Sequence, residues 1–124
     1  MSNMARLEAI ALVLPEATRV DIEAWDGEPT FRVRNKNFVF TDPDVTAVSV
    51  KLPVEEAEAV VATDPLAQPT GYGMGRAGWV SVDIGEGADE DRWQQVTEWV
   101  RTSYPLVAPK TLARIVLEED GLVD

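Results

Sequence analysis

From Ala17 to Leu52 the chain reads as one strand after another, with interruptions too short to hold a helix. Thr18, Val20, Ile22 and Ala24 alternate with Arg19, Asp21, Glu23 and Trp25, the pattern of a half-buried strand. Asp26-Gly27 is a turn signal, and Pro29 opens the next strand at its edge, where a missing N–H is tolerated. Thr30 to Thr41 reads as a hairpin turning at Asn35-Lys36. That turn sets Val33 opposite Phe38 and Phe31 opposite Phe40, with all four on one face. Asp42-Pro43-Asp44 is a loop, and Val45 to Leu52 is a further strand. Consecutive strands joined by turns this short pair antiparallel.

Helical periodicity brackets the meander. Met4, Leu7, Ile10, Ala11 and Leu14 share one face of a helix that Ser2 or Asn3 caps and Pro15 stops. Pro53 starts a second helix, with Glu55 and Glu56 in its first turn, Val54, Ala57 and Val61 inward, and an end near Ala62. Thr70–Gly75 and Gly78–Ile84 read as a second hairpin, and Gly85–Ala88 as a turn. Asp89 caps a third helix that carries a Trp93, Val96, Val100 stripe flanked by Trp99 and closes with Arg101. Ser103-Tyr104-Pro105 reads as a break and restart, with Ser103 as a cap. A last helix spans Pro109 to Glu119 with Leu112, Ile115 and Val116 inward. The order is α-β-β-β-β-α-β-β-α-α. It predicts a two-layer α+β fold, an antiparallel sheet of about five to six strands with helices on one face. Its 124 residues fit one domain, 1–124.

The chain contains neither cysteine nor histidine. Disulfides, thiolate metal sites, cysteine nucleophiles and triads with an imidazole base are therefore excluded. No cofactor motif and no catalytic residue stands out, so an enzyme is not expected. The absence of thiols fits a reducing cytoplasm, and no segment approaches the roughly 20 apolar residues of a membrane span. With 22 acids against 11 bases, the net charge of −11 favours solubility and opposes polyanions.

Leu14-Pro15, the run Trp25-Asp26-Gly27-Glu28-Pro29-Thr30-Phe31-Arg32-Val33, Lys36, Phe38, Val50-Lys51, Gly78-Trp79-Val80 and Ser103-Tyr104 together resemble the MmcQ/YjbR-like family, over about residues 5 to 118. The resemblance implies a two-layer α/β fold like that of secretion chaperones and the frataxin-like group. It also implies a DNA-binding label of double-wing type, and no catalytic residue or cofactor. The chain departs from that label in its charges: Glu23, Asp26 and Glu28 flank the first wing, and Asp83 and Glu86 flank the second.

Pro29 to Thr41 holds Arg32, Arg34 and Lys36 and no acid. Alternation places both arginines on the solvent face and Lys36 at the tip, so the group reads either as a phosphate-contacting wing or as an edge strand guarded by charge and paired to neighbouring acids. Trp25, Tyr72 and Trp79 read as stacking platforms or as packing residues, with Trp25 the most exposed. Gly71-Tyr72-Gly73-Met74-Gly75 has the glycines of a phosphate loop but precedes a strand where a helix is needed. Asp83, Glu86, Asp89, Glu90 and Asp91 read as a cation site or as the acidic start of a helix. The candidate binding surface is thus Trp25, Arg32, Arg34, Lys36, Lys51 and Arg76, on a monomer that takes DNA weakly or takes a protein partner.

Overall fold

The structure, a computed structural model, describes residues 1–25, 27–85 and 88–122, with Trp25 described through its backbone alone. The Ser2 hydroxyl accepts the Ala5 N–H at 3.1 Å and starts helix α1, Asn3–Ala11. The helix stops short of Leu14. The chain turns there, Leu14 is buried by the bend, and Glu16 takes a φ of +57°. Strands β1 (Thr18–Ile22), β2 (Glu28–Val33), β3 (Lys36–Thr41) and β4 (Ala47–Lys51) form the expected meander. Helix α2 (Val54–Thr63), strand β5 (Ala67–Pro69) and strand β6 (Trp79–Asp83) follow, then helices α3 (Glu90–Val107) and α4 (Lys110–Glu119).

The sheet has six strands in the order β1-β2-β3-β4-β6-β5, and every pairing is antiparallel. Helices cover one face. There Leu7, Phe31, Val33, Phe38, Val50, Val80, Trp93, Val96, Val100, Tyr104 and Val116 close the core. Fold class and element order therefore agree with the sequence reading.

Four local expectations need correction. β1 is not half-buried: Thr18 to Asp21 are exposed, because β1 is the outer strand, and the chain leaves it for a single 3₁₀ turn at Glu23–Trp25. The first hairpin turns at Arg34-Asn35, one residue early. Both residues have positive φ, +48° and +67°, as a tight primed turn requires. A bulge follows, so Val33 faces Lys36 and Phe31 faces Val39. Phe40 thereby moves to the opposite face of the sheet from Phe31 and Val33. The second hairpin uses Ala67–Pro69 as its first strand, so Tyr72 and Met74 are loop and 3₁₀ residues, not strand residues.

Helix α3 does not break at Ser103. It continues through Pro105 for one more turn. A proline there removes only one late backbone bond, and the burial of Ser103 and Tyr104 holds the turn in place. Smaller departures are Val54 and Ile115, both expected inward and both exposed. The Asp26-Gly27 turn and the Gly85–Ala88 turn lie partly outside the described residues.

Candidate functional site

The sheet register decides which side chains share the face that no helix covers. Partners across β1 to β5 put Val20, Glu28, Thr30, Arg32, Phe40, Ala47, Ser49, Lys51, Trp79, Ser81, Asp83 and Gln68 on it. The face closes over itself in the middle. Phe40 lies against Trp79 with ring centroids 5.1 Å apart. The Ser49, Ser81 and Thr70 hydroxyls form a chain, 2.7 Å and 2.9 Å between oxygens. Thr30, fully buried, donates its hydroxyl proton to the Val20 carbonyl at 2.6 Å and accepts from the Arg32 guanidinium at 3.1 Å.

Arg32 is the one arginine of the first hairpin on this face. It is half-buried and also reaches Asn35 Oδ1 at 3.3 Å. β2 is an interior strand, so the charge-guarded edge expected for Arg32 does not exist. Arg34 sits in the turn, not on the strand, and holds Glu16 through two bonds of 2.6 and 3.0 Å. That bond is the main cause holding the Glu16 carboxyl below its usual range. Lys36 opens β3 and is exposed, Lys51 ends β4 half-buried, and Arg76 is exposed in the 3₁₀ turn before β6. Trp25's side chain lies outside the described residues, as do Asp26 and Glu86 of the acid flanks.

Pairing divides the cations into two groups. Arg6, Arg19, Arg34, Arg92, Arg101 and Arg114 each bind a carboxylate. Among the described residues, Arg32, Lys36, Lys51, Arg76 and Lys110 bind none. The structure thus brings Arg32 and Lys51 to one face, sets Lys36 at the rim beside the turn, and leaves Arg34 neutralised. Sequence reasoning missed Phe40 as a member of this face, because its side depends on the bulge.

Other candidates resolve into structural roles. Ser103 is not a cap. Its buried hydroxyl accepts the Lys51 N–H at 2.9 Å and donates to the Phe38 carbonyl at 2.6 Å, bridging β4 to β3. Tyr104 donates to the Pro15 carbonyl at 2.5 Å and meets the Phe38 ring edge-on at 5.2 Å. Burial chiefly pushes its phenol up. Gly71–Gly75 bends into a short 3₁₀ turn and then β6, with Tyr72 fully exposed at a φ of +58°. Asp89 caps α3 by accepting the Arg92 N–H at 2.9 Å. Among the described residues no three carboxylates stand close enough to hold a metal ion, and no helix is long and apolar enough to cross a membrane.

The fold and the sequence are similar to those of known proteins. The crystal structure of the Deinococcus radiodurans protein DR2400, a DUF419 domain, is similar over 100% of this chain and 91% of its own, at 25% identity and a TM-score of 0.69. No curated protein matches the sequence. The family model described as YjbR matches residues 12–106, from the turn after α1 to the last turn of α3, and the chain therefore belongs to the YjbR family.

Proposed function

We propose that this YjbR-family chain is a non-catalytic binding domain that holds a protein partner on the uncovered face of its sheet. One observation carries the reading: an aromatic pair, Phe40 and Trp79, shares that face with Arg32 and Lys51, cations without a carboxylate partner among the described residues. An apolar centre with charged surroundings is the anatomy of a protein interface. The net charge of −11 and the capture of Arg34 by Glu16 both weaken a nucleic-acid reading. The absence of thiols suits work in a reducing cytoplasm.

The test is affinity capture from nuclease-treated lysate, comparing the native chain with Arg32→Glu/Lys51→Glu. A partner retained by the native chain and lost from the variant supports the reading. Equal capture by both ends it.

A second reading, weak DNA binding, has its own support: of the cations expected to bind, Arg32, Lys36, Lys51 and Arg76 hold no carboxylate among the described residues. Such a contact, about four phosphates at most, is modest and falls with salt. Fluorescence anisotropy of a labelled duplex at low salt decides it, since an unchanged signal removes DNA from consideration.

A further inference from the structure

The uncovered face is electrically polarised along its strands. Antiparallel pairing sets Arg32 of β2, Lys51 of β4 and Trp79 of β6 at one end of the strands. The same pairing sets Glu28 of β2 and Asp83 of β6, which flank Ala47 of β4, at the other end. Asp42 lies beside Ala47, accepting its N–H at 3.1 Å. The apolar pair and the hydroxyl chain form the band between. Glu28, Asp83, Arg32 and Lys51 form no ion pair among the described residues.

A surface with one sign at each end of its strands is self-complementary under a two-fold axis that crosses the strands at the central band. The rotation stacks two faces with strands reversed. Arg32 then lies over Glu28 of the second copy, and Lys51 over its Ala47, between its Asp42 and Asp83. Phe40, at the middle register, lies near the axis, and Trp79 lies over Asp83 of the second copy. Such a contact is isologous: each basic end meets an acidic end twice.

We propose that the partner this face fits is a second copy of the chain, docked sheet to sheet in this reversed register. The proposal rests on the reading of the uncovered face as a protein-binding surface and names its occupant. Charge complementarity is the first argument. Burial, and secondarily the Asp42 charge, already push the Glu28 carboxyl up, so Glu28 lacks a cation at that point and a second copy's Arg32 supplies one. Area is the second argument. Six strands about 4.8 Å apart and about 17 Å long give about 500 Å² per copy, at the lower bound for a specific contact. The dimer is therefore weak and depends on concentration. The net charge of −11 on each copy does not forbid it, because at physiological ionic strength the Debye length is about 8 Å, shorter than the chain, whereas touching pairs escape most of that screening.

Sedimentation velocity over a rising concentration series tests the proposal, with circular dichroism to show that each variant is folded. The native chain moves from monomer towards dimer. Arg32→Glu/Lys51→Glu places acids at both ends, and Glu28→Lys/Asp83→Lys places bases at both ends. Each alone stays monomeric over the same range, and an equimolar mixture of the two regains the dimer. Should the reversals unfold the chain, the neutral variant Arg32→Gln/Lys51→Gln weakens association at least tenfold. A native chain that is monomeric at every concentration overturns the proposal, as does a dimer that the reversals leave intact or a mixture of folded variants that fails to associate. If the native chain is monomeric yet still captures another protein through Arg32 and Lys51, self-docking alone is wrong; if it captures nothing, the binding-face reading falls with it.

Discussion

Ser103 illustrates how one hydroxyl completes a sheet. β3 and β4 pair directly from Val39↔Val50 to Thr41↔Val48, and beyond that the Ser103 oxygen stands between the Lys51 N–H and the Phe38 carbonyl. Removing it strands two buried backbone groups. We expect Ser103→Ala to lose about 1–3 kcal/mol in urea unfolding. Gly78 is constrained differently. Its φ is +96°, and a Cβ would collide with the Leu52 carbonyl oxygen, backbone that cannot yield. Gly78→Ala should cost more than about 3 kcal/mol, whereas Gly71→Ala, with open space around it, should change stability by about 0.5 kcal/mol or less. Glu28 offers a test of the opposite sign. Its carboxyl is raised, so the ionised form is disfavoured in the folded chain. Glu28→Gln should therefore stabilise the chain at neutral pH. The gain should vanish once pH falls below the unfolded carboxyl range, where native Glu28 is protonated in both states.

At the scale of elements, α2 and α3 are tied by Asp64 and Arg92, the least exposed ion pair among the described residues. Arg92 donates to Asp64 at 2.6 and 3.1 Å and stands 5.7 Å from the Trp99 ring. The bonds from Arg92 are the main cause holding the Asp64 carboxyl below its usual range. A depressed carboxyl adds stability above its unfolded value, about 3.9, and that stability is lost as pH falls through the lower folded value. Asp64→Asn should thus cost about 1–2 kcal/mol at neutral pH, and the native and variant curves should converge in acid. The same pair marks where sequence reasoning runs out. Helix starts with local causes, such as Ser2 and Asp89, were legible because a cap is written within a few residues. The face of Phe40 was not, because a turn at Asn35-Lys36 sets Phe40 opposite Phe31, whereas the turn at Arg34-Asn35 and the bulge after it shift the register. Nor was the continuity of α3 through Pro105, since local rules favour a stop there and only the anchoring of Ser103 and Tyr104 overrides them. Of the candidate surface, the cations were readable as types and pairing of Arg34 to an acid was one of its two readings, but the partner, Glu16, 18 positions away and off the neighbouring strands, was not.

Across the whole molecule, the layers differ in how firmly they are held. β1 is exposed from Thr18 to Asp21 and β5 is three residues long, so both outer strands lean on the interior ones. Native-state hydrogen exchange should find the amides of β3, β4 and β6 slowest and the outward amides of β1 fastest. The strand order carries a further consequence for how the chain is made. β6 enters the sheet between β4 and β5, although β5 leaves the ribosome first. A nascent chain that ends before Trp79 can build the meander β1 to β4, yet it bares one side of β4 and leaves Ala67–Pro69 with nothing to pair with. Synthesis of the segment from Thr70 to Asp83 therefore completes the strand pairing, while the apolar face stays bare and open to neighbouring chains until α3, Glu90–Val107, follows.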